Sequence, residues 1–100
     1  MVFRAHLLVT GSVQGVNFRW FAQEKAKECG IKGWVKNMPD GTVEIMCESE
    51  TEKAYRDFLN QIEKKYSGPG MVNAIDVKNI QVLSFDKDAE SAYTHFGIEY

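Results

Sequence analysis

One hundred residues, 44% of them hydrophobic and 26% charged, have the composition of one globular domain with one core, spanning residues 1–100. A net charge of −2, with 12 Lys and Arg, argues against nucleic-acid binding as the main function, because such surfaces cluster cations against phosphate backbones. No run approaches the ~20 apolar residues of a membrane-spanning helix, and Met1–His6 lacks the apolar block of an export signal. A cytoplasmic monomer that engages neither nucleic acid nor membrane is the expectation.

The first strand is predicted over 3–10. Phe3, Ala5, Leu7 and Val9 share one face, with Arg4, His6 and Thr10 on the other, although Leu8 breaks the alternation. A glycine-containing interruption, 11–16, follows. A helix is predicted over 18–29, where Phe18, Phe21, Ala22, Ala26 and Cys29 recur at helical spacing. Asn17 is its predicted N-cap and Gly30 its stop. A hairpin comes next, with strands over 32–36 and 42–48 joined by Met38-Pro39-Asp40-Gly41, which carries turn chemistry.

A second helix is predicted over 50–66. Ser49 and Glu52 have capping-box spacing, and Ala54, Tyr55, Phe58, Leu59, Ile62 and Tyr66 form its apolar stripe. Ser67-Gly68-Pro69-Gly70 ends it. Strands are predicted over 74–83 and 94–98, with the polar run 86–91 between them as a loop. The order is βαββαβ, with room for one extra strand near the end. It implies an α+β, ferredoxin-like two-layer sandwich in which two helices cover one face of an antiparallel sheet.

Chemistry-bearing residues are sparse. Cys29 and Cys47 form no C-x-x-C pair and read as reduced, buried thiols. His6 and His95 have no metal-ligand spacing, so no metal or other cofactor is called for. The informative segment is 11–19. A tight turn containing Gly15 leads into a helix whose first N–H groups lack intrahelical partners and share the positive end of the helix dipole. Together they form a potential anion cradle, and Arg19 adds a forked cation. Taken alone the pattern also fits an ordinary strand–helix turn with a solvated Arg. It is neither a Walker-type loop nor a dinucleotide fingerprint. Asn37, where a strand runs out, is either a turn residue bonding its own backbone or an amide that holds a water or an oxyanion.

Taken together, Gly11, Val13, Gln14, Gly15, Val16, Phe18 and Arg19, then Gly30, Gly33, Trp34, Val35, Asn37, Asp40, Gly41 and Val43, resemble the acylphosphatase signature over the whole chain. Two positions depart from it. Ser49 stands where a Gly is frequent, and Gly70 follows Pro69 where a second Pro is frequent. The resemblance implies hydrolysis of the carboxyl–phosphate bond of acyl phosphates to a carboxylate and inorganic phosphate, by metal-independent in-line attack of water. Arg19 and the backbone N–H groups of Gln14, Gly15, Val16, Asn17, Phe18 and Arg19 would bind the phosphoryl group, and Asn37 would orient the water. For Tyr100 two readings stand: its carboxylate pairs with Arg19, or the terminus frays. Two rivals are a phosphate-binding regulatory module and an RNA-binding domain of the same element order. The second needs exposed sheet aromatics in basic surroundings, whereas Phe3 and Phe96 read as core.

Overall fold

Alternating side chains make Val2–Ser12 a strand, β1, with Ala5, Leu7 and Val9 buried on one face. The computed structural model describes residues 1–63 and 74–100. Helix α1 spans Phe18–Cys29 and buries Phe18, Phe21, Ala22 and Ala26. It stops at Gly30, whose left-handed φ of 71° lets the N–H groups of Gly30 and Ile31 turn back onto the Lys27 and Ala26 carbonyls, the glycine-terminated end expected of a helix. Strands β2 (Lys32–Asn37) and β3 (Val43–Ser49) form the predicted hairpin. Helix α2 spans Glu52–Ile62 and buries Tyr55, Phe58 and Ile62. Strands β4 (Asp76–Ala89) and β5 (Phe96–Glu99) complete one sheet in the order β4-β1-β3-β2-β5.

The buried residues of both helices and of the inward-facing strand positions form one apolar cluster. This is an α+β layout consistent with the ferredoxin-like plan, and four expectations need correction. The sheet is mixed, because β5 runs parallel to β2, pairing Gly33 with Phe96 and Val35 with Ile98. The polar run 86–91 is strand as far as Ala89, since Arg4 pairs with Asp86 and Val2 with Ala89. An edge strand tolerates polar side chains that face water, because its ladder is made by main chain. Helix α2 is capped by Thr51, whose hydroxyl accepts from the Ala54 N–H at 3.1 Å. Ser49 instead ends β3 and donates to the Thr51 carbonyl. Cys47 is buried but Cys29 only half-buried, and both are free thiols. The expected helix end at Tyr66 and the exit at 67–70 lie outside the described residues.

The connection from β4 to β5 must cross from one edge of the sheet to the other. On the face opposite the helices, the buried Glu48 carboxylate holds it. Glu48 accepts from Arg4 Nε at 2.9 Å, from the Ala92 N–H at 3.0 Å, and from the Tyr93 N–H and Ser91 hydroxyl at 3.3 Å. Arg4 also donates to the Glu90 carbonyl, and the Trp34 indole to the Tyr93 hydroxyl. The Gly33 N–H to the His95 carbonyl, at 3.0 Å, then starts β5 along β2. Gly33 has a φ of 136°, and a Cβ there would collide with the Met46 carbonyl, so no other residue fits this place in the hairpin.

Candidate active site

Between the end of β1 and the start of α1 the chain turns through two left-handed residues. Gly15 has a φ of 74° and Asn17 a φ of 62°, on either side of Val16. Glycine takes this conformation freely, and Asn tolerates it better than most residues. Alternation of left- and right-handed residues is the backbone pattern that turns successive N–H groups toward one point in anion-binding nests. Among the described residues, no main-chain carbonyl accepts the N–H of Gly15, Val16 or Asn17. The first helical bond runs from the Phe21 N–H to the Asn17 carbonyl at 3.0 Å, so the N–H groups of Phe18, Arg19 and Trp20 precede the hydrogen-bonded ladder. No acidic residue sits in this first turn to compensate the positive end of the helix. Asn17 makes no side-chain capping bond. Its expected role as a capping side chain is replaced by a conformational one.

Apolar pegs hold the turn down: Val13, Val16 and Phe18 are all buried. A polar tether fixes it sideways. The Gln14 side-chain amide donates to the carbonyls of Met38 and Thr42, each at 2.8 Å. These carbonyls belong to the β2–β3 turn, closed by the Met38 N–H to Thr42 carbonyl bond at 2.9 Å. Asp40 braces the same turn by accepting from the Thr42 hydroxyl and N–H at 2.6 and 3.0 Å. These bonds, the hydroxyl's first, hold its carboxyl below the usual carboxylate range. Gln14 thereby locks the anion cradle to the turn that follows Asn37.

Asn37 is the last residue of β2, and its Oδ1 is buried with no hydrogen-bond partner among the described residues. An unpartnered buried acceptor costs about 1–3 kcal/mol, so it marks a position shaped for something other than stability. Arg19 is reached from the other side by β5. Its Nη1 donates to the Glu99 carbonyl at 3.1 Å, and its guanidinium lies 4.8 Å from the centre of the Tyr100 ring. The ring, rather than the carboxylate of Tyr100, meets Arg19. One main-chain bond and one stacked face orient the guanidinium while most of its five donors stay available.

Gly15, Asn17, Phe18, Arg19 and Asn37 line one cavity of about 330 Å³, together with Val13, Trp20, Ile98 and Tyr100. Gln14 and Val16 are not among these lining residues, and their side chains serve as tether and peg. Among the described residues, the lining contains no carboxylate side chain, imidazole or thiol. Both cysteines lie elsewhere, and burial pushes the Cys47 thiol up to about 12, which leaves it inert as a nucleophile at neutral pH. The cavity therefore brings hydrogen-bond donors and the Asn37 oxygen to one place.

Of two contributions not expected from the sequence, one left no signal and one did. The tethering role of Gln14 has no local signature, because its acceptors lie 24 and 28 residues away. Trp20 had a usable signal, since it stands next to Arg19 but off the buried stripe of Phe18, Phe21 and Ala22.

Residues 5–90 match the family model described as acylphosphatase. The curated acylphosphatase of Methanospirillum hungatei JF-1 is 38% identical over 91 residues, 91% of this chain and 93% of that protein. That of Thermotoga petrophila is 42% identical over 92 residues, 92% of this chain and 91% of that one. The crystal structure of acylphosphatase from Bacillus subtilis is similar with a TM-score of 0.81 at 34% identity, covering 98% of this chain and 99% of that chain.

Proposed function

This chain belongs to the acylphosphatase family, hydrolases acting on acid anhydrides, and from that premise we propose how its own residues carry the reaction on an acyl phosphate. The phosphoryl group sits on the N–H cradle from Gly15 into the first turn of α1, with Arg19 neutralising its oxygens. Asn37 Oδ1 accepts a hydrogen from the attacking water and aims its oxygen at phosphorus. The observation that carries this reading is the convergence, in one cavity, of an anion cradle and a buried acceptor with no partner.

The chemistry suits the residues present. The water oxygen forms a bond to phosphorus while the phosphorus–oxygen bond to the acyl group breaks. The electron pair leaves with the carboxylate, and the water proton passes to a phosphate oxygen. A carboxylate is a good leaving group and needs no acid to protonate it. Phosphoryl transfer is governed by positioning and charge stabilisation, which a guanidinium, oriented N–H groups and one amide can supply. In related chemistry an Arg contributes about 10³–10⁵ in rate. The products are a carboxylate and inorganic phosphate, so inorganic phosphate should also compete for the cradle.

The direct test is hydrolysis of benzoyl phosphate with and without a chelator. Turnover that is unaffected by the chelator is expected, because every polar group that the lining directs at phosphate is a hydrogen-bond donor. Activity that required an added divalent ion would contradict the reading, and so would absence of hydrolysis.

A further inference from the structure

Trp20 follows Arg19 in the first turn of α1, and half of its surface is exposed. Isolated exposed apolar side chains are common and by themselves mean little. What sets this one apart is its place. It lines the cavity that holds Arg19 and Asn37, yet its indole has no hydrogen bond or ring contact among the described residues. The neighbouring exposed ring, Tyr100, is engaged on the Arg19 guanidinium. Ile98 of β5 adds a half-buried aliphatic surface to the same lining.

The cavity thus has two chemistries. Its lining includes donors and the Asn37 amide, which suit the phosphoryl group and the water. It also includes the half-exposed Trp20, which is apolar and open to solvent. An acyl phosphate has the same division, with a charged phosphoryl head and an uncharged acyl tail. In-line displacement puts the leaving acyl oxygen opposite the attacking water. Asn37 enters from the end of β2 and Trp20 from α1, so the exposed apolar side chain comes from a different element than the residue that places the water. We propose that Trp20 is the acyl-binding surface of this site and makes it selective for acyl phosphates with flat or extended apolar acyl groups over the two-carbon acetyl group. This rests on the phosphoryl and water roles argued above for Arg19 and Asn37.

An apolar contact of this kind is made equally in the bound substrate and the transition state, so it acts on KM more than on kcat. Contacts worth one or two methylenes discriminate by about 10-fold or more. The test is a comparison of kcat/KM for benzoyl phosphate and acetyl phosphate in the wild type, Trp20→Ala and Trp20→Phe, with inhibition by inorganic phosphate measured in each as a report on the cradle. In the wild type the benzoyl substrate should be preferred. Trp20→Ala should lower the benzoyl-to-acetyl ratio by about 10-fold, mainly through a raised KM for benzoyl phosphate, and Trp20→Phe should restore most of it. An unchanged ratio in Trp20→Ala would overturn the proposal. So would a loss that fell equally on both substrates together with phosphate inhibition, since the damage would then be to the cradle. Failure of the wild type to hydrolyse either substrate would instead overturn the phosphoryl and water roles, and the acyl surface with them.

Discussion

Asn17 holds a left-handed conformation in front of α1 without capping it. A β-branched residue there would pay roughly 1–2 kcal/mol for the same backbone, whereas glycine would pay none. Asn17→Val should therefore lower stability by about that amount and weaken inhibition by inorganic phosphate. Asn17→Gly should keep both close to the wild type. Thermal unfolding and phosphate inhibition of the two variants check this directly. If Asn17→Gly lost phosphate affinity as severely as Asn17→Val, the side chain rather than the backbone would be the working part. The sequence made Asn17 visible as a helix-start residue, but a capping Asn and a left-handed Asn look alike in one dimension.

At the scale of elements, the site is a junction between the β1–α1 turn and the β2–β3 hairpin, with Gln14 bridging them. Replacing Gln14 by Ala removes two hydrogen bonds, each worth about 0.5–1.5 kcal/mol, and frees the cradle to move relative to Asn37. Misplacement of about 1 Å can cost ~100-fold in rate. Gln14→Ala should thus reduce kcat on benzoyl phosphate by about 10–100-fold while the fold survives, as circular dichroism would show. A kcat close to wild type would mean that the two elements keep their register without the tether. Helix α1 was readable to its terminal residues because its apolar period, its glycine stop and the turn before it all agree. Strand β4 was readable only as far as its apolar run. Beyond Leu83 its course is set by pairing with β1, a long-range effect that alternation cannot reveal. The parallel placement of β5 against β2 was hidden for the same reason, since a four-residue strand does not disclose its neighbour.

Across the whole molecule, Glu48 links the sheet to the site. Its carboxylate fastens the crossover that delivers β5, and β5 brings Glu99 and Tyr100 to Arg19. Burial works to raise the Glu48 carboxyl, but hydrogen bonds from Arg4, Ala92 and Tyr93, with the Arg4 charge, outweigh it and hold the group below its ordinary value. A depressed folded-state value means that this stabilisation is complete above the unfolded value of about 4.3 and is lost as pH falls through the folded value. The melting temperature should therefore drop below about pH 4, and Glu48→Gln should flatten that part of the curve while lowering stability at neutral pH. An acid limb of the same steepness in Glu48→Gln would assign the effect to other carboxylates. In the sequence Glu48 is one of many charged residues in an alternating strand, and nothing marks it as buried, because the loop that covers it arrives more than 40 residues later. Arg19 and Asn37 were legible through the spacing they share with Gly15, Trp34 and Asp40. The contacts of Arg19 with β5 were not.

The most direct measurement is steady-state hydrolysis of benzoyl phosphate by Arg19→Ala and Asn37→Ala, each with its inhibition constant for inorganic phosphate. Loss of one oriented hydrogen-bonding group costs roughly 3–4 kcal/mol of transition-state stabilisation in comparable sites. Asn37→Ala should therefore lower kcat by about 10²–10³-fold with phosphate inhibition retained, and Arg19→Ala should lose both turnover and phosphate inhibition. Near-wild-type turnover in a folded Asn37→Ala, or undiminished phosphate inhibition in Arg19→Ala, would contradict the division of labour between the two residues.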